Sequence, residues 1–254
     1  MNLKGSVAIV TGGGTGIGRA VSLELAQGGA EAVAVNYSRS ASDAEATVKE
    51  LEAFGCKSNA IQADVADETQ ARRLVEEVAG KFGRLDILVN NAGTTRFIPF
   101  PDIDALNEDV WDAILDVNLK GAFWCSRAAS PFLKEARGAI VNIASIAALR
   151  GSGSSMPYGV SKAALTQLTR GLAVALAPDV RVNAVSPGLV ATRWFREGVS
   201  PELADAQEAA MAGRTPLKRV AAPADIAQVV VGLLRMDFVT GQYLVVDGGL
   251  SITY

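Results

Sequence analysis

A phenol and an ammonium stand four residues apart in this chain, at Tyr158 and Lys162. A helix repeats about every 3.6 residues, so that spacing puts both side chains on one face. A lysine that close favours the phenolate over the phenol. Tyrosine titrates near pH ~10 in water and each pKa unit is worth ~1.36 kcal/mol, so reaching neutrality takes ~4 kcal/mol. A partly desolvated positive charge supplies energy of that order. Such a tyrosine can give a proton to an alkoxide and take it back. Ser145 lies just past the apolar run 138–143, at the carboxyl end of an expected strand. Open parallel sheets bind ligands there.

Absences narrow the chemistry. Histidine does not occur among the 254 residues. Ser-His-Asp triads and histidine metal sites are therefore excluded, and no metal site is expected. Cys56 and Cys125 offer neither a disulfide framework nor metal spacing, and read as reduced thiols of a cytoplasmic protein. A net charge of −3 and 49% hydrophobic residues describe a well-buried globular core without the basic face of a nucleic-acid binder. The longest apolar runs fall short of the ~18 residues a membrane span needs.

The elements that must position these residues follow a regular order. Residues 6–11 are an apolar, β-branched run that ends in a glycine cluster, Gly12, Gly13, Gly14, Gly16 and Gly18, and helical periodicity follows over 19–27. Strand, glycine turn and helix together form a dinucleotide-binding opening: the backbone approaches a pyrophosphate, whose charge sits on the amides of the next helix. The second strand, 32–36, runs into Tyr37, Ser38 and Arg39 with no carboxylate from 32 to 42. An NAD site commonly places an acidic residue there to hold the ribose hydroxyls. Arg39 with its flanking serines instead suits a 2′-phosphate. Asp64 can accept from an adenine amino group or cap the helix starting near Glu68, where Asp67 is also available.

A strand over 85–90 leads to Asn90, Asn91, Ala92 and Gly93, whose small residues let backbone pack beside a cofactor. One long helix is expected over 106–135, with Asn118 and Gly121 as unfavourable interior residues that mark either a functional break facing a cleft or a buried amide bonded to backbone. The Tyr/Lys helix is expected over 156–177, a strand over 180–185, then Pro187 and Gly188. Residues 189–214 read as a mobile substrate lid with a short helix near 202–211. A helix over 224–234 and a strand from 243 close the chain. The alternation runs from end to end without linker or repeat, so one α/β domain over 1–254 is expected.

The glycine turn, Asn90 to Gly93, Asn118, Ser145, Tyr158-x-x-x-Lys162, Pro187-Gly188 and the Val246-Asp247-Gly248-Gly249 ending occur together and in order. In this the chain resembles the short-chain dehydrogenase/reductases over essentially its whole length. The resemblance implies a Rossmann-like, doubly wound parallel sheet of about seven strands with helices on both faces. It implies transfer of the pro-S hydride between a nicotinamide cofactor and a carbonyl or secondary alcohol. Tyr158 would be the general acid in reduction and the base in oxidation, and Lys162 would lower its pKa and hold the nicotinamide ribose. Ser145 would bond the substrate oxygen, and Asn118 would position a water linking Lys162 to solvent. Gly12, Gly14, Thr15, Gly16, Ile17 and Gly18 would line the pyrophosphate. Tyr37, Ser38 and Arg39 would lie by the adenosine ribose, Asp64 and Val65 by adenine. Asn91, Ala92 and Gly93 would face the adenosine-side ribose and its surroundings. Pro187, Gly188, Val190 and Thr192 would hold the nicotinamide end.

Many NADP-dependent relatives carry a basic residue in the glycine turn where this chain has Thr15. Phosphate recognition would then rest on Arg39 almost alone, which implies NADP and keeps NAD use open. Residues 96–99 (Arg96 to Pro99), 149–156 and Trp194-Phe195, most of them apolar, suggest a pocket for a hydrophobic ketone. The 3-oxoacyl-carrier-protein reductases are near relatives, but their sequence after the Asn-Asn-Ala-Gly motif differs from 94–99 here. This leans towards a general carbonyl reductase. A silent NADP-binding sensor, the remaining alternative, would need none of the four catalytic positions. Relatives are commonly homotetramers, and the apolar end 250–254 is compatible with such an interface.

Overall fold

The structure is a computed structural model that describes residues 1–196 and 200–253, the side chains of Trp194 and Phe195 excepted. Seven strands form one parallel sheet: β1 (Val7–Val10), β2 (Ala32–Tyr37), β3 (Lys57–Gln62), β4 (Ile87–Asn90), β5 (Ala139–Ile143), β6 (Arg181–Pro187) and β7 (Tyr243–Val246). Their order is β3-β2-β1-β4-β5-β6-β7, with Ile9 opposite Ala34 on one side and Leu88 on the other. The order reverses between β1 and β4, which opens a crevice beyond their carboxyl ends.

Alternate residues of each strand feed two separate cores. Ala8 and Val10 join a layer with Val21 and Leu25 of α1 (Gly16–Gln27), Leu51 of α2 (Ala41–Ala53) and Val230 and Leu234 of α9 (Pro223–Arg235). Val7 and Ile9 join the opposite layer, with Leu74 and Val78 of α3 (Glu68–Phe82), Ala129 and Leu133 of α5 (Ala122–Ala136) and Leu172 and Leu176 of α6 (Met156–Leu176). Helix cover on both faces explains why the strands are apolar runs and not alternating ones. The remaining helices are α4 (Glu108–Leu115), α7 (Arg193–Arg196) and α8 (Pro201–Arg214).

The expected single helix over 106–135 is the main correction. Asn107 caps α4, and a π-helical turn at Asp116–Gly121 separates α4 from α5. The wider turn accommodates Asn118 and Gly121, and π turns recur at functional sites. A side chain at Gly121 would lie 2.8 Å from Val65 Cγ2, so this turn packs against the residues after β3. The helix begun at Ser200 also runs further than the expected 202–211. The Ser200 hydroxyl accepts from Leu203 N–H at its start, and Pro201 follows.

Candidate active site

The glycine turn is built by close approach. Gly12 has φ +60°, and a Cβ at Gly18 would stand 2.2 Å from the Gly12 carbonyl oxygen. Only glycine there lets α1 start directly over the end of β1. Asn91 then fastens the turn to β4: its Nδ2 donates to the carbonyls of Thr11 (2.9 Å) and Gly12 (3.0 Å). Asn36 does the same from β2, accepting from Gly12 N–H at 3.3 Å and donating to Ala63 O at 3.0 Å. Asn90 ties β4 to β5 through Asn142 Oδ1 (2.8 Å) and to α5 through Ser126 Oγ (3.0 Å).

The catalytic candidates meet at the other end of the same cleft. Ser145 caps the single turn at Ile146–Ala148, its Oγ accepting from Ala147 N–H at 3.1 Å, and it is hydrogen-bonded to the Tyr158 phenol. Lys162 is buried beneath them, with Nζ donating to Ile143 O at 2.8 Å and lying 5.7 Å from the Tyr158 ring centre. Asn118 is clasped by Thr94, whose N–H donates to Oδ1 at 2.7 Å and whose carbonyl accepts from Nδ2 at 3.0 Å. The same Nδ2 donates to Ser161 Oγ at 3.0 Å, fixing the π turn to α6. Gly93 runs between these groups: a Cβ there would lie 3.4 Å from Asn118 Oδ1 and 3.7 Å from Lys162 Nζ.

Electrostatics depart from the sequence expectation. Burial pushes the Tyr158 phenol above its usual range, and the Ser145 hydrogen bond only partly opposes this. Burial brings the Lys162 ammonium down to about 8. The two residues share a helix face as expected, but Nζ is drawn to the end of β5 and not to the phenol oxygen. Desolvation is thus the dominant influence on both groups in this arrangement. The cysteines take no part: Cys56 and Cys125 are buried free thiols, raised by burial to about 11 and about 12.

A cleft of about 1010 Å³ joins the two ends, running from Gly12, Thr15, Gly16 and Ile17 past Asn91, Ala92 and Gly93 to Ser145, Tyr158 and Lys162. Pro187, Gly188, Val190 and Thr192 form its far wall, and Val190 pairs with Ala221 in an isolated parallel bridge. Phe97, Ile98, Pro99 and residues 150–154 border it as expected, with Phe100, Gln207, Met211 and Arg214 in addition. Arg96, Leu149, Ser155 and Met156 do not border it, and the Trp194-Phe195 side chains lie outside those described. Gly14, Gly18, Tyr37, Ser38, Arg39, Asp64, Val65 and Asn118 stand behind or beyond its walls.

On the adenosine side, Arg39 and Ser38 are exposed and Tyr37 is half-buried at the end of β2. The capping of α3 falls to Asp67 and not to Asp64. Asp67 caps α3, accepting from Thr69 and Gln70 N–H, while Asp64 accepts from Ala66 N–H at 3.0 Å and holds the preceding turn.

These residues fit a nicotinamide dinucleotide. The turn that would take the diphosphate is walled by backbone and small side chains. Among the described residues bordering the cleft, every charged one is a cation: Arg150, Lys162, Arg193 and Arg214. No group of metal-ligating side chains occurs among the described residues. No helix described is long and apolar enough to cross a membrane.

Known proteins agree with this geometry. A family model described as "Enoyl-(Acyl carrier protein) reductase" matches residues 12–251. The chain is 44% identical over 249 residues to a Streptomyces violaceoruber protein named "Granaticin polyketide synthase putative ketoacyl reductase 2", covering 97% of this chain and 96% of that one. It is 39% identical to the 3-oxoacyl-(acyl-carrier-protein) reductase FabG of Staphylococcus aureus, covering 96% and 97% of the two chains. A solved short-chain dehydrogenase/reductase mutant from Serratia marcescens superposes with a TM-score of 0.88 at 36% identity, covering 99% of this chain and all of that one. The chain belongs to the short-chain dehydrogenase/reductase family of oxidoreductases.

Proposed function

We propose that this chain reduces a ketone to a secondary alcohol with NADPH, Tyr158 supplying the proton. The Ser145–Tyr158 hydrogen bond above buried Lys162, in a cleft continuous with the glycine turn, carries this reading. Bound NADPH supplies a hydride to the carbonyl carbon. Once a carbonyl oxygen takes the place of their mutual hydrogen bond, the Ser145 and Tyr158 hydroxyls can each donate to it as it gains charge. A phenol kept neutral by burial still holds its proton at pH 7 and delivers it to the forming alkoxide. Lys162, anchored on Ile143 O, presents its ammonium to the ribose beside the nicotinamide. Asn118 holds the segment at Thr94 in place and, through Ser161, the pitch of the catalytic helix.

Gly12, Thr15, Gly16 and Ile17 take the diphosphate, and exposed Arg39 meets the 2′-phosphate, which favours NADP over NAD. The chain is read as one nucleotide-binding domain with 189–214 as its lid. Buried free thiols fit a reducing, cytoplasmic compartment. The exposed apolar side chains of Val174 on α6 and Leu244 on β7 support a homotetramer built across these elements.

The relatives named for ketoacyl reduction favour a 3-oxoacyl thioester as substrate. A general hydrophobic ketone is the second reading, favoured by the apolar wall of Phe97, Ile98, Pro99 and Phe100. Steady-state NADPH and NADH oxidation against an acetoacetyl thioester, ketoesters and aryl ketones separates the two. Replacing Tyr158 by Phe should lower kcat about 10²- to 10⁴-fold on whichever substrate is used. Full activity of Tyr158→Phe would remove the mechanism.

A further inference from the structure

A charged pair crosses the nucleotide end of the cleft. Arg193, on the first turn after the lid leaves β6, reaches Asp43 in the first turn of α2, its two terminal nitrogens meeting the two carboxylate oxygens at 3.3 and 2.8 Å. The chain neighbours of both partners, Thr192 and Ala44, lie against the glycine turn. Thr192 Cγ2 lies 3.3 Å from where a Cβ of Gly16 would sit, and a Cβ at Gly14 would be 2.8 Å from Ala44 Cα. Arg193 itself borders the cleft together with Thr15, Gly16 and Ile17. The pair thus spans the turn that receives the diphosphate.

We propose that Arg193 is a binding residue for the dinucleotide's diphosphate and that Asp43 is a partner that competes for its guanidinium until the nucleotide arrives. The inference rests on the NADP reading above. The two side chains are 55% and 33% exposed, so water screens the pair and it is weakly held. A diphosphate offers the same planar guanidinium fork more charge and several acceptor oxygens, in a cleft whose described charged walls are all cationic. Exchange of the Asp43 carboxylate for that anion is favourable. Asp43 acts as a competitor, which gives it a signature opposite to that of Arg193.

Fluorescence titration of NADPH and NADH, with no carbonyl substrate present, reads this directly. Arg193→Ala should weaken both nucleotides about tenfold, Asp43→Ala should tighten both about threefold, and Arg193→Lys should fall between wild type and alanine, because lysine keeps the charge and loses the fork. Wild-type affinity in Arg193→Ala overturns the inference. Equal weakening in Asp43→Ala and Arg193→Ala overturns it too, because the pair would then only brace the loop. A loss confined to NADPH would move Arg193 to the 2′-phosphate and overturn the diphosphate assignment. Failure of the wild-type protein to bind either nucleotide would remove the NADP reading and this inference with it.

Discussion

Replacing Lys162 by Met should abolish activity and yet stabilise the folded protein at neutral pH. Lys162 is 4% exposed, and burial lowers its ammonium from 10.5 to about 8. Its folded pKa thus lies below its unfolded one, so the folded state disfavours the proton that the unfolded chain keeps. The penalty is fully present below pH ~8 and disappears as pH rises through the unfolded value. A difference of about 2.5 units at ~1.36 kcal/mol each makes it about 3 kcal/mol at pH 7 and under about 1 kcal/mol at pH ~10.5. Methionine removes the charge, keeps similar length and adapts to irregular space. It also leaves Ile143 O without its donor, which costs about 1 kcal/mol at every pH.

The variant should therefore be about 2 kcal/mol more stable than wild type at pH 7, and the advantage should vanish or reverse near pH ~10.5. Urea unfolding of both proteins without nucleotide at pH 7, 9 and 10.5 measures this. The readout is the change in their difference, since every other titrating group is common to both. A methionine variant less stable at pH 7, or a difference independent of pH, would refute the claim that the buried ammonium is held at an electrostatic loss.

Two further outcomes follow from the same geometry. Arg39→Ala removes an exposed guanidinium at the end of β2, and should lower kcat/KM for NADPH by about ten- to hundredfold while leaving NADH within about twofold. Equal losses with both cofactors would contradict a 2′-phosphate contact. Light scattering at micromolar concentration should give a tetramer; a monomer would mean that Val174 and Leu244 are simply exposed apolar residues.

Much of the fold was legible because its signals are local. An apolar strand, a glycine cluster and a periodic helix follow one another within 6–27, and parallel strands covered on both faces read as plain apolar runs. The Tyr158/Lys162 spacing gave the shared helix face in the same way. What the spacing could not give is where Nζ points, because Ile143 O is brought to it by the strand and not by the helix. The π turn at Asn118 was visible only as two poor helix formers. Its pitch depends on the Thr94 clasp and on Ser161, which lies 43 residues away in sequence. Arg193 gave no signal, because its partner Asp43 stands 150 residues earlier. Asp64 and Asp67 were ambiguous because either carboxylate can serve the same helix start, and only the turn geometry divides the work.

The protonation pattern of the site bears on direction. With the Tyr158 phenol above its ordinary value and Lys162 near 8, the neutral-pH state of this arrangement carries both protons. That state is the acid form, and carbonyl reduction needs the acid. Alcohol oxidation by the proposed mechanism would need the phenolate, which burial disfavours. Under the proposed mechanism, a hydride arriving at the carbonyl would place negative charge on an oxygen held by Ser145 and Tyr158, and proton transfer would remove that charge from a poorly solvated place. The burial that opposes the phenolate before reaction also opposes an alkoxide left beside it, so the proton moves to the product oxygen. Under the proposed mechanism, the desolvation that raises the phenol would serve the reductive step.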